Sequence, residues 1–516
     1  MGVDPPTIAD LAEIARHYEF HLGESDLESY RALVTGALES YRIVEQLFQD
    51  TLPEPPSGRT YQRPQPEQNP LGAWYVTTRI STGKEGPLTG RTVAVKDNVA
   101  VAGIPMMNGS RSVEGFVPRR DATVVTRLLE AGATVVGKAV CEDLCFSGAS
   151  HTAATGPVRN PWDPNVTAGG SSSGSAVLVA TGEADLAVGG DQGGSIRIPS
   201  AFCGVVGHKP TRGLVPYTGA FPIENTLDHL GPITFTTRDA ALMLGVMAGP
   251  DGLDPRQRDL PPAKDYLADL DAGISGLRVA VVEEGFGLPG LSDPQVDEEV
   301  LAATRRLERA GAKVSHVSIP WHRHGVHVWN VIAIEGATTQ MVDGNGFGMN
   351  WSGYYDPELI AHYAQGRRDH ADSLSDTVKL TVLAGRYTIN RYGGRYYGMA
   401  QNLARSLTAA YDAVLAEFDV LVMPTLPYVA TPIEDALSCR ENYVARALEM
   451  IVNTAPFDVT GHPATTVPAG MVKNLPVGMM IIGRHFQDDV CLRVAQAYET
   501  AVGGFTPPPG SARRAS

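Results

Sequence analysis

The sequence predicts an α/β fold: a mixed β-sheet core flanked by helices, with a helical N-terminal region and an inserted small subdomain. Three observations carry this reading. Short apolar runs (residues 93–95, 134–136, 185–189 and 276–282) alternate with stretches of helical period (122–131, 174–182 and 296–310). Glycine and proline number 55 and 37, which supplies many tight turns between such elements. At 516 residues, 43% hydrophobic and 19% charged, the chain can bury a large core and lacks the composition of a disordered protein.

In chain order, Ile8, Leu11, Ile14, Ala15 and Tyr18 fall at helical spacing, as do Tyr30, Leu33, Val34, Ala37, Leu38, Tyr41, Val44, Leu47 and Phe48. The pair reads as a helical hairpin with one apolar stripe per helix, to be covered by the body of the chain or by another subunit. Six prolines follow between 51 and 70, the mark of an extended linker. Residues 1–70 are thus expected as an N-terminal region and linker, and 71–290 as the first part of the core. From 291 to 420 an inserted small subdomain is expected. Its stretch from Pro320 to about Glu417 is rich in His, Tyr, Trp, Asn and Gly, has helical runs at 375–386 and 396–416, and is placed to roof a site. Strand patterns at 418–425 and 477–483 and a closing helix at 488–502 make 421–505 the second part of the core. Residues 506–516 read as a flexible tail.

Charge and cysteine usage narrow the function. A net charge of −15 disfavours nucleic acid or an anionic membrane as partner. Five cysteines (Cys141, Cys145, Cys203, Cys439 and Cys491) are an odd, sparse set, expected as free thiols in a cytoplasmic protein. No run of 18 apolar residues and no signal-peptide pattern occur. The zinc motif H-E-x-x-H and the phosphate loop G-x-x-x-x-G-K-[ST] are absent, and no nucleophile elbow G-x-S-x-G frames a candidate serine. No metal and no cofactor are expected.

Two glycine–serine turns dominate the centre of the chain: Gly169-Gly170-Ser171-Ser172-Ser173-Gly174-Ser175 and Asp191-Gln192-Gly193-Gly194-Ser195-Ile196-Arg197-Ile198-Pro199-Ser200. Such turns let a ligand approach backbone N–H groups closely, and can hold a phosphate or the oxyanion of acyl transfer. Upstream, Lys96 ends an apolar strand. A lysine so placed is ordinarily a salt-bridge partner, and Asp97 stands beside it.

From Gly169 to Ser200, position by position, this stretch resembles the amidase signature family of serine hydrolases, and the likeness runs from about Leu71 to Gly504. It is strongest toward the enantioselective amidases of nitrile-degrading actinobacteria, and there it includes the N-terminal segment. The resemblance implies the amidase-signature fold and a Ser–Ser–Lys triad: Ser195 as nucleophile, Ser171 as bridging serine with a cis peptide bond to Gly170, and Lys96 as general base. It implies an oxyanion hole of the backbone N–H groups of Gln192, Gly193, Gly194 and Ser195. To accept a proton Lys96 must be neutral, so burial has to lower it from the usual ~10.4. Asp191 and Arg197 are expected to orient the nucleophile turn, and Ser172 and Ser173 to cap the helix that follows. Cys203 lacks a matching acid or base and is set aside, and His462 reads as structural.

For the substrate pocket the candidates are Phe146, Trp329, Asn330, Met450 and Ile451. The expected activity is hydrolysis of small, mostly apolar or aromatic carboxamides to acid and ammonia, by a likeness-implied homodimer acting on a small-molecule amide. An aryl-acylamidase or hydrazidase using the same triad is an alternative, as is an amidotransferase subunit of a tRNA-dependent complex. A nucleotide-binding reading of the glycine-rich turns finds no supporting motif.

Overall fold

The computed structural model describes residues 3–347 and 352–513. Two compact units divide at Pro55. The first holds helices Ile8–His17 and Glu24–Gln49. Thr7 accepts from the Asp10 N–H and the Asp10 carboxylate answers on the Thr7 N–H, a reciprocal cap that fixes where the first helix starts. Of the expected apolar stripes, Ala15 and Leu38 are buried, whereas Leu33, Tyr41, Val44 and Leu47 are all more than 60% exposed.

The second unit is built on one twelve-stranded mixed sheet. Its strands are β1 (Tyr61–Gln62), β2 (Trp74–Ile80), β3 (Thr92–Lys96), β4 (Thr134–Ala139), β5 (Leu186–Asp191), β6 (Val206–Lys209), β7 (His229–Thr234), β8 (Arg278–Val282), β9 (Lys313–Val317), β10 (Val420–Pro424), β11 (Ala464–Val472) and β12 (Leu475–Ile482). The order is β1-β2-β4-β3-β5-β7-β6-β11-β12-β10-β8-β9. Strand β3 lies parallel to both β4 and β5, whereas β5 and β7 run antiparallel. The chain leaves β3 for β4 on one side and crosses back to β5 on the other. A crevice opens at the carboxyl ends of strands where the winding changes side in this way.

The expected strands at 93–95, 134–136, 185–189 and 276–282 are β3, β4, β5 and β8, and the expected helices fall at Thr123–Glu130, Ser173–Thr181 and Pro294–Arg309. Strand β7 escaped the sequence reading because His-Leu-Gly-Pro-Ile-Thr carries two strand breakers. The fold tolerates Pro232 because β6 pairs only with Ile233 and Thr234 and leaves that edge of Pro232 without a partner. Helix His322–Ala337 was also unread. It packs on helices Asp376–Tyr392, Arg395–Leu415 and Pro456–Thr460.

The helix Ser173–Thr181 is small or apolar all round, and eight of its nine residues are buried. A methyl group on Gly174 would sit 2.3 Å from the Ala73 carbonyl oxygen, so only glycine permits this approach of helix to sheet. The described end of the tail bonds to this helix and to the turn after it. The Ala512 N–H donates to Thr181 O, Ser511 Oγ to Ala180 O, and Arg513 to the carbonyls of Val179, Ala184 and Asp185. Residues 514–516 lie outside the described residues.

Candidate active site

Lys96, the last residue of β3, and the turn after β5 emerge side by side at the carboxyl ends of two parallel strands. Lys96 is fully buried, and its Nζ lies 2.8 Å from Ser171 Oγ and 3.1 Å from the Gly190 carbonyl oxygen. Among the described residues no carboxylate pairs with it. Asp97, the suspected partner, pairs instead with buried Lys138 at 2.8 Å and accepts the N–H groups of Met107 and Asn108. Lys96 is therefore aimed at a hydroxyl.

The Gly170–Ser171 peptide bond is cis. A methyl group on Gly170 would fall 2.1 Å from the Ala149 carbonyl oxygen, so the turn closes only around glycine. Buried Glu142 braces it: the carboxylate accepts Thr152 N–H and Oγ1–H, both at 2.7 Å, and Ser173 Oγ–H at 3.0 Å. Burial pushes this carboxyl up to about 7. Ser172 and Ser173 do not cap the helix with their side chains as expected. Ser172 Oγ bonds with the N–H and C=O of Gly190, and Ser173 Oγ turns to Glu142.

The two turns are joined by one bond, Ser172 N–H to Ser195 O at 3.2 Å. Ser195 Oγ makes no hydrogen bond among the described residues and faces a cavity. The carbonyls of the turn that carries Ser195 are tied from far along the chain: Gln192 O accepts Trp329 Nε1–H at 2.6 Å, and Gly193 O accepts Thr454 Oγ1–H at 2.6 Å. With its carbonyls held, the turn leaves the N–H groups of Gln192, Gly193 and Ser195 without a protein acceptor among the described residues. Gly194 differs from the expectation, because its N–H is spent on Asp191 Oδ1 at 2.6 Å.

Beneath the turn lies a buried ion cluster. The Arg197 guanidinium contacts Asp191 at 2.9 Å, Asp458 at 2.7 Å and the Thr454 carbonyl at 2.8 Å, with all three ionic side chains fully buried. Burial pushes the Asp191 carboxyl up, but Arg197 outweighs it and holds the group well below the usual carboxylate range. Asp458 moves the other way, raised by burial and by the charge of Asp191. Asp191 and Arg197 thus stand under Ser195, and Asp458 joins them from a segment that carries no sequence signal.

The cavity beside Ser195 is narrow, about 30 Å³. Phe146, Trp329 and Ile451 line it, as the sequence reading expected, together with Ile198, Ile223, Leu227 and Leu448, which it missed. The Phe146 and Trp329 rings lie 6.4 Å apart at a 35° tilt. Asn330 and Met450 are not on its wall: Met450 lies buried behind Gly148, and Asn330 is one residue round the helix from Trp329. Among the described residues no charged side chain lines the cavity. Cys145 does line it. Burial pushes its thiol up, and the hydrogen bond with Cys141 pulls it down.

A buried lysine aimed at a serine, a second serine at the mouth of an apolar cavity and unspent N–H donors beside it define a site for attack on a carbonyl carbon. Comparison with known proteins agrees. A model of the amidase family matches residues 71–492, and the chain belongs to that family. It is an amidase, a hydrolase acting on amide bonds. An enantioselective amidase of Rhodococcus rhodochrous is 56% identical over 515 residues, which cover 99% of this chain and 98% of that protein. Among solved structures, a glutamyl-tRNA(Gln) amidotransferase subunit from Thermotoga maritima superposes with a TM-score of 0.68 at 33% identity, over 84% of this chain and 88% of that one. The peptide amidase of Stenotrophomonas maltophilia gives 0.68 at 30% identity, over 82% and 85%. These likenesses bear out the amidase-signature fold. Among the described residues no helix is long and apolar enough to cross a membrane.

Proposed function

We propose that this amidase cleaves small, mostly apolar or aromatic carboxamides to a carboxylic acid and ammonia through an acyl-enzyme on Ser195. The observation that carries the mechanism is the 2.8 Å contact of Lys96 Nζ with Ser171 Oγ in a site where no carboxylate competes for the lysine. Lys96 takes the Ser171 proton as Ser171 takes that of Ser195. The Ser195 alkoxide attacks the amide carbon. The developing oxyanion is met by N–H groups of Gln192, Gly193 and Ser195, donors whose loss typically costs roughly 2.7–4 kcal/mol each. The proton returns through Ser171 to the leaving nitrogen, ammonia departs, and water then releases the acid by the same relay. The open Ser195–Ser171 leg fits this scheme, because such contacts often tighten only when substrate binds.

The lining supports the substrate class. Phe146, Trp329, Ile198, Ile223, Leu227, Leu448 and Ile451 offer apolar surface and no charge, which suits a neutral acyl group. The test is a hydrolysis panel of benzamide, propionamide, an anilide and an aryl hydrazide, run on the protein and on Ser195→Ala. Ammonia from benzamide, lost in the variant, supports the proposal. Turnover confined to the anilide or hydrazide moves the leaving group to an aryl-acylamidase or hydrazidase. Normal turnover by Ser195→Ala ends the mechanism. A second reading, a component of a larger complex that needs partner proteins, is carried by the likeness to glutamyl-tRNA(Gln) amidotransferase subunits and predicts no activity of the isolated chain on any of the four.

Two further expectations belong to the same reading. The exposed apolar stripe of Glu24–Gln49 supports a homodimer, checked by light scattering of the full chain. The five free cysteines suit a reducing, cytoplasmic setting, checked by fractionation of the source cells.

A further inference from the structure

Asp412, His462 and His485 come together outside the catalytic cavity, with one potential ligand atom of each within 4.8 Å of the others. They arrive from three segments. Asp412 lies on helix Arg395–Leu415, His462 just before β11, and His485 just after β12. The antiparallel register Ala464↔Ile482 places the two histidines beyond the same end of that strand pair. Their ring centroids are 4.0 Å apart.

The outer nitrogens of both rings are held by one residue. His485 Nε2 lies 2.9 Å from the Thr460 carbonyl oxygen, and His462 Nδ1 lies 2.8 Å from Thr460 Oγ1. A carbonyl oxygen only accepts, so His485 Nε2 carries the hydrogen and Nδ1 presents a lone pair. That lone pair faces Asp412 Oδ1 at 4.0 Å, whereas His462 Nε2–H donates to the same oxygen at 3.1 Å, a hydrogen that a bound metal ion would replace. An imidazole acceptor thus confronts a carboxylate acceptor, while the far side of each ring is fixed by a hydrogen bond. Metal-ligating histidines are oriented by bonds of this kind.

We propose that Asp412, His462 and His485 bind one divalent transition-metal ion, leaving its remaining coordination positions to water. Two imidazole nitrogens and one carboxylate oxygen suit Zn²⁺, Ni²⁺ or Cu²⁺ and not Mg²⁺ or Ca²⁺. The positive charges of Lys209 and Arg212 reach these rings and oppose a cation, and the Asp412 carboxylate counters them. The ion has no part in amide cleavage. It fastens the helix 395–415 to the β11–β12 end of the sheet, and so acts on stability.

The test uses full-length protein freed of metal by chelation, in a Cys439→Ser background that removes the exposed thiol. Calorimetric titration with Zn²⁺, thermal melting with and without Zn²⁺, and the visible spectrum with Co²⁺ are measured. One equivalent bound, a melting temperature raised by Zn²⁺ and a Co²⁺ d–d band are expected. Asp412→Asn and His485→Gln, both at partly exposed positions, should lower the affinity by roughly 100-fold and abolish the Co²⁺ band. Absence of saturable Zn²⁺ binding overturns the proposal. So does one-equivalent binding that persists unchanged in both variants.

Discussion

The indole Nε1–H of Trp329 donates to the carbonyl oxygen of Gln192 at 2.6 Å, across 137 residues of chain. One side chain therefore does two things: its ring forms a wall of the cavity, and its N–H holds the turn that presents the oxyanion donors. Trp329→Phe keeps most of the wall and removes the tether. A buried hydrogen bond is worth about 0.5–1.5 kcal/mol, so kcat should fall by up to about tenfold. Because the ring surface stays, KM for an aromatic amide should change little. Steady-state kinetics on benzamide checks the split. A raised KM at unchanged kcat would make the indole a binding surface only.

The relay predicts that Ser195→Ala, Ser171→Ala and Lys96→Ala each lower kcat by roughly 10³-fold or more. Ser195→Ala should leave the far-ultraviolet circular dichroism and the melting temperature close to wild type, since its hydroxyl has no partner among the described residues. The losses should not multiply in the double variant Ser171→Ala/Lys96→Ala, because both residues serve one proton path. Multiplicative losses would separate them into independent roles.

Glu142 sets a pH dependence. Burial raises its carboxyl from the ordinary 4.5 to about 7, so between these values the folded protein holds a proton that the unfolded chain has released. Its contribution is fully present below about 4.5 and is lost as pH rises toward about 7. Glu142→Gln keeps the neutral shape. The variant should lose this fall in stability and gain up to about 3 kcal/mol over wild type at pH 8. Urea unfolding at pH 5 and pH 8 reads the difference, and an equal response of the two proteins would contradict it.

Arg197 joins two buried carboxylates. Arg197→Met leaves Asp191 and Asp458 facing each other without the guanidinium that bonds both, which should cost about 3–5 kcal/mol. Adding Asp458→Asn should recover part of that loss. Chemical denaturation of the single and double variants measures it; strict additivity would mean that Asp458 is not part of the cluster.

The parts of the site that were legible in the sequence are those fixed by local chemistry. Lys96 at the end of an apolar strand and serines in turns that only glycine can close are visible as residue types in order. Trp329, Phe146 and Ile451 were expected on the wall, and they line it. What stayed hidden depends on rotation and on long-range bonds. Asn330 was paired with Trp329, yet adjacent residues on a helix point about 100° apart. Ile223 and Leu227 sit between strands, where no periodicity marks them as apolar wall. The loss of the Gly194 N–H to Asp191 is a matter of turn geometry, invisible in composition. In the fold, β3, β4 and β8 were legible as Val-rich runs, whereas β7 was masked by its own glycine and proline.

The clamps on the nucleophile turn have a consequence for biosynthesis. Lys96, Ser171 and Ser195 have all left the ribosome long before Trp329, Thr454 and Asp458, the residues that fasten the turn, are made. The reactive groups are translated early and their framework late. A growing or prematurely ended chain carries every group of the relay without the ties that aim them. On the proposed mechanism, a chain that stops short of Thr454 should therefore show no amide hydrolysis.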